Sequence, residues 1–252
     1  MIKRLATLIF ILGTHVLCAL SPELPTMVCV LTNHPTGTCF RSVGTLTEGK
    51  VLCVQSPELI FVFLNKRTDK AELPEAEVKK IMDGHMANIS RLAKEEKLIS
   101  AGPFDAGGGI FIFKSKSAEQ VKEWLQTDPG IQANRWRVEV LPYFPRVGSA
   151  CAVAEKYEMV TYQFIRYIPN IAKFNIQDAP QIFKKHDDYL KGIIKTGNVV
   201  AEGTFGDMEG GILVIKGELD HAVIELDPAV REGLLELEFQ KLWIAKGSFC
   251  EK

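Results

Sequence analysis

Two histidines and two aspartates keep a common register along this chain. His85 lies 43 residues before Asp128, His186 lies 41 before Asp227, and each histidine stands 17 residues before a glycine, Gly102 and Gly203. Each aspartate is followed by proline, Pro129 and Pro228. A His beside a carboxylate is the pairing a proton-handling pocket needs, because the carboxylate favours the imidazolium while burial opposes it. Such a group acting as general acid or base typically contributes about 10²–10⁴-fold to a rate. The competing readings are structural: a lone His on an apolar helix face is commonly a satisfied core residue, and Asp before Pro is an ordinary helix N-cap. Recurrence favours a shared role for His85, Asp128, His186 and Asp227, and one carboxylate oxygen can cap a helix while the other orients a ring.

Other chemistries have less support. His and Asp alone supply two metal ligands where three or four are usual, so no metal site is expected. Gly107, Gly108 and Gly109, and Gly210 with Gly211, precede a strand instead of opening a helix, which excludes a phosphate cradle. No cofactor signature is present. His34 and His221 have no counterpart in the other copy.

The elements that must position these residues are themselves duplicated. Ile60–Asn65 is an apolar run of strand length, and Val78, Met82, His85, Ile89 and Leu92 recur at helical spacing after Pro74. Leu98–Ala101 and Ile110–Phe113 read as strands, Ser117 with Gln120 as a capping box opening a second helix, and Arg135–Leu141 as a half-buried strand of period two. Val160–Ile165, a helix after Asp178 and Pro180 that stops at Gly197, Val199–Gly203, Gly211–Ile215, a shorter helix and Leu234–Lys241 repeat that order.

The predicted fold class is therefore α+β: two tandem ferredoxin-like βαββαβ units, 60–146 and 158–246. A unit so small cannot leave one sheet face wet, so the two sheets should pair as an intramolecular pseudo-dimeric α+β barrel, holding a small molecule between them. In this topology the residue before a unit's first strand lies near the residue after its last. Cys151 and Cys250 occupy those flanks in the second unit, which predicts a disulfide.

The chain has 252 residues, 46% hydrophobic and 24% charged, with a net charge of −1. Without a basic stripe, nucleic-acid binding is not expected. Lys3 and Arg4 precede an apolar run, Leu5–Leu20, that resembles a secretory signal peptide, so residues 1–20 are read as an export signal, with no membrane association after cleavage. Residues 21–59 carry Cys29, Cys39 and Cys53 and read as an irregular insertion or linker. The tetrapeptide Ser21-Pro22-Glu23-Leu24 recurs as Ser56-Pro57-Glu58-Leu59, directly before the first strand.

This ordered set resembles the YCII-related domain family: Gly84-His85-Met86 on a helix, Ser100-Ala101-Gly102-Pro103-Phe104, the strand Gly109–Phe113, Asp128-Pro129 and a last strand ending in Pro142. The likeness covers roughly 60–145 and, more loosely, 160–244. It implies a dimeric α+β barrel and a His and Asp of enzymatic role, carried by His85 with Asp128 and by His186 with Asp227. Repeat two departs at Thr204 in place of Pro103 and at Lys241 in place of Pro142, so repeat one is the expected seat of chemistry. The expected function is an exported general acid/base enzyme of lyase or isomerase type acting on a small molecule. The alternative is a non-catalytic secreted module that binds a small molecule or a protein. Further pairing into a homodimer is left open.

Overall fold

The computed structural model describes residues 57–251, apart from 174, 176, 207–209 and 219. The expected signal peptide, most of the 21–59 segment, and Cys18, Cys29, Cys39 and Cys53 lie outside the described residues. From Pro57 onward the chain forms one compact unit.

The first half runs β1 (Leu59–Lys66), α1 (Glu75–Lys94), β2 (Leu98–Pro103), β3 (Gly109–Lys114), α2 (Ala118–Leu125), α3 (Pro129–Gln132) and β4 (Trp136–Val147). The second repeats it as β5 (Met159–Pro169), α4 (Ala179–Ile194), β6 (Val199–Thr204), β7 (Gly211–Ile215), α5 (His221–Glu225), α6 (Pro228–Arg231) and β8 (Leu235–Ala245). The short helices α3 and α6 are the turns started by Asp128-Pro129 and Asp227-Pro228, with proline in the first turn, where its missing N–H costs nothing. Ser117 caps α2 by accepting from the Gln120 N–H at 3.2 Å. The reciprocal half of the expected capping box is not made. Ser115 Oγ instead accepts from the Ser117 N–H and donates to Gln120 Oε1.

All strand pairs are antiparallel, in the order β2-β3-β1-β4-β6-β7-β5-β8. Two seams join the halves. On one, the far end of β4 pairs with β6 through Phe144–Thr204 and Pro145–Gly203. On the other, Phe104 bridges to Leu242 of β8, and the Asp105 N–H donates to Lys241 O at 3.0 Å. The strand expected to end at Leu141 thus continues to Val147, and that expected to end at Lys241 continues to Ala245. β4 runs on through Pro142 and Pro145 because a second partner strand, β6, takes up its end.

The sheet has an aromatic core on one face and a helix-covered core on the other. Phe61, Phe63, Tyr143, Phe164 and Phe205 come from both halves and pack together, with Phe61 and Phe205 ring centroids 5.5 Å apart and Phe63 and Phe164 6.1 Å apart. Arg166 enters beside them, its guanidinium 3.9 Å over the Phe63 ring and bonded at 2.7 Å to Glu139, which also accepts from Asn65. On the other face, α1 and α2 cover Ile60, Val62 and Phe113, and α4 and α5 cover Ile165, Leu213 and Ile215. These rings pack on the sheet face that was expected to hold a small molecule. The histidines lie on the helix-covered face.

Cys151 and Cys250 form a disulfide with Cα atoms 5.1 Å apart. It joins the segment before β5 to the segment after β8, which run antiparallel side by side from Met159–Ala245 to Pro169–Leu235. Among the described residues no helix is long and apolar enough to cross a membrane.

Candidate functional site

His85 reaches Asp128 because a glycine precedes it. A Cβ on Gly84 would stand 2.9 Å from Pro129 Cγ, so only glycine lets α1 sit this close to the Asp-Pro turn. Asp128 is fully buried, and its Oδ1 serves both the cap and the ring, lying 3.0 Å from His85 Nδ1. Oδ1 accepts from the Gly130 and Ile131 N–H groups at 2.8 and 3.2 Å. Oδ2 lies 2.8 Å from His85 Nδ1 and accepts from Asn88 Nδ2 at 3.1 Å. Burial pushes the Asp128 carboxyl up, but the hydrogen bond and charge of His85, with Asn88 and the Ile131 N–H, more than offset it. Its pKa therefore lies below the usual aspartate range. The His85 ring is 5% exposed and is held between Trp136, at 4.7 Å, and Phe111, at 5.8 Å.

The second pair has the same frame. His186 Nδ1 lies 2.7 Å from Asp227 Oδ2, and Asp227 Oδ1 accepts from the Ala229 N–H at 2.9 Å. Both groups are buried. A carboxylate can only accept from a neutral ring, so both histidines carry the Nδ1–H tautomer when neutral. Among the described residues no group bonds Nε2 of either ring.

The surroundings of the pairs differ. His186 lines a cleft of about 200 Å³ between α4 and the sheet, together with Arg146, Tyr167, Asp187, Glu202 and Thr204. The second described cavity, near Leu125 and Val138, touches neither histidine. Arg146 arrives from β4, so the cleft at the second pair is built by both halves. Its Nε and Nη2 donate to the buried Glu202 carboxylate at 2.6–3.1 Å, and its Nη1 donates to Asp187 at 2.7 Å. Burial lowers the Arg146 pKa, yet these two carboxylates raise it overall, so the guanidinium stays charged.

Strand register explains the contrast. Leu64 faces Gly109 as Tyr167 faces Gly211, and Ala101 occupies in β2 the place of Glu202 in β6, one residue before Gly102 and Gly203. Met86 follows His85 where Asp187 follows His186. At these positions the first pair thus has Leu64, Ala101 and Met86 where the second has Tyr167, Glu202 and Asp187. The structure brings together all four residues singled out from sequence, each His with its own Asp. It places the polar cleft at repeat two, whereas repeat one was the expected seat of chemistry. Sequence reading passed over Arg146, Tyr167, Glu202 and Asn88. The available signal was a Glu in the otherwise apolar strand VVAEGT, aligned with an alanine.

Residues 59–143 match the model of the YCII-related domain family. No curated protein matches the sequence. Two solved structures similar to this chain are a heme-binding protein from Thermus thermophilus and a candidate monooxygenase from Fusobacterium nucleatum. The first has a TM-score of 0.38 and 11% identity over 75% of this chain and 94% of its own. The second has a TM-score of 0.37 and 9% identity over 75% of this chain and 92% of its own. Likenesses of this size carry no argument about activity. Among the described residues no group of three or more His, Cys, Asp or Glu side chains is placed to hold a metal ion.

Proposed function

We propose that this protein is a general acid/base enzyme acting on a small molecule in the cleft at His186, with Asp227 fixing the ring and Nε2 moving the proton. The observation that supports this reading is that His186, bonded through Nδ1 to a buried carboxylate, lines a polar cleft, where a bound carbonyl compound could meet Nε2. Removal of a proton beside a carbonyl, as in an isomerase or lyase, is the reaction class such a base serves. In repeat one, His85 and Asp128 make the same contact under Trp136 and Phe111, and their role is to brace α1 against the Asp-Pro turn.

The two halves are read as tandem ferredoxin-like units closed into a pseudo-dimeric barrel, a reading supported by the two symmetry-like seams, β4 with β6 and β8 with Phe104. The disulfide supports an oxidising, extracytoplasmic location, consistent with the signal-like first twenty residues.

A panel of small ketones and lactones incubated with the protein in D₂O tests the proton-transfer reading, with deuterium incorporation beside the carbonyl followed by mass spectrometry. Wild type should exchange at least one member, with His186→Gln and Asp227→Asn about 10²–10⁴-fold slower and His85→Gln retaining the rate. Absence of enzyme-dependent exchange across the panel, or equal loss in His85→Gln, would overturn it.

A further inference from the structure

We infer that Tyr167 is a substrate-anchoring residue: its hydroxyl donates a hydrogen bond to an uncharged oxygen, such as a ketone or lactone carbonyl, of a small ligand without net negative charge. This rests on the cleft at His186 being the working site and adds to it a second contact and a ligand class.

Tyr167 is 2% exposed, its ring stands edge-on to His186 at 5.1 Å, and it lines the same cleft. Its hydroxyl is buried without a hydrogen-bond partner among the described residues. A buried hydroxyl left unpaired costs about 1–3 kcal/mol, and such a group at the wall of a cleft is what a ligand acceptor would satisfy. Burial, with the charges of Asp227 and Glu202, raises the Tyr167 pKa well above that of free tyrosine, so the group is a donor at any physiological pH. The corresponding position in repeat one is Leu64, which has no hydroxyl to offer.

The charge of the walls sets the ligand class. Arg146 is the cation of the cleft, and it is already held by Glu202 through three contacts and by Asp187 through one. Asp227 is committed to His186. Acceptors therefore outnumber free donors, and an anionic ligand would meet two carboxylates before it met an unengaged cation. A volume of about 200 Å³ lies below the range of drug-sized pockets, which start at roughly 300 Å³, so the occupant is a molecule of a few heavy atoms.

The test uses cyclopentanone and cyclopentanecarboxylate as neutral and anionic five-membered-ring probes, titrated into the protein with amide shifts of β5 and β6 as the readout. Cyclopentanone should bind and cyclopentanecarboxylate should bind more weakly. Tyr167→Phe should weaken cyclopentanone binding roughly five- to tenfold, as loss of one hydrogen bond to a neutral partner requires. Tyr143→Phe, which removes another buried hydroxyl without a partner among the described residues and outside the lining of the His186 cleft, should leave it unchanged. Equal affinity in Tyr167→Phe, tighter binding of the carboxylate, or no binding of cyclopentanone overturns the assignment. His186→Gln separates the two readings: cyclopentanone binding that persists there while exchange is lost supports both. Exchange in wild type with binding indifferent to Tyr167 sinks this inference alone.

Discussion

Asp128 caps a helix through Oδ1 and meets His85 with both oxygens, so removing its charge is felt twice. Asp128→Asn should destabilise the fold by about 1.5–3 kcal/mol at neutral pH, the range for a hydrogen bond to a charged group, read as a lower urea midpoint. The pH dependence has a definite sign. Folding lowers this pKa, so the stabilisation is present above the unfolded aspartate value of about 3.9 and is lost as pH falls through the lower folded value. The gap in stability between wild type and Asp128→Asn should therefore narrow only below about pH 4. A gap that is constant from pH 7 to pH 3 would mean that the carboxylate charge contributes nothing. Sequence made the His and Asp pairs legible because both kept their spacing and the Asp-Pro turn names its own cap. It hid Glu202 and Arg146, whose partnership crosses 56 residues and depends on a strand continuing past two prolines.

At the scale of elements, the seams between halves depend on glycine for close approach. A Cβ on Gly203 would stand 2.6 Å from the Phe144 carbonyl oxygen, and one on Gly102 would stand 2.6 Å from that of Trp243. Backbone atoms cannot swing aside as a side chain can. Gly203→Val and Gly102→Val should each cost about 1–3 kcal/mol through overpacking. Gly203→Val should also disturb the His186 cleft, which Gly203 lines, whereas Gly102→Val should not. Thermal melts with the cyclopentanone titration measure both; melts within a degree of wild type for both variants would contradict this picture of the seams. The core strands β1, β3 and β7 were readable from their apolar runs. The end of β4 was not, because what holds it is β6 of the other half, and the end of β8 was not, because it pairs with the start of β5; local pattern says nothing of a partner so far along the chain.

For the molecule as a whole, the disulfide closes a separation of 99 residues. The chain-entropy account gives about 4.7 kcal/mol for a loop near that length, and typical measured values are 2–4 kcal/mol. Cys151→Ser with Cys250→Ser should accordingly lower stability by about 2–4 kcal/mol. Intact mass with and without reductant should show the bond in wild type; two alkylatable thiols at these positions would refute it. The same architecture brings Arg146 of the first half to the wall of the cleft at His186 and sets His85 against Trp136 and Phe111, so the two His and Asp pairs have different surroundings. Long-range ¹H–¹⁵N spectra of the imidazoles during a cyclopentanone titration test that asymmetry most directly. The account predicts protonated Nδ1 on both rings, and a shift of Nε2 on His186 alone as the probe fills the cleft. A response at His85 with none at His186, or a His186 ring protonated only on Nε2, would contradict it.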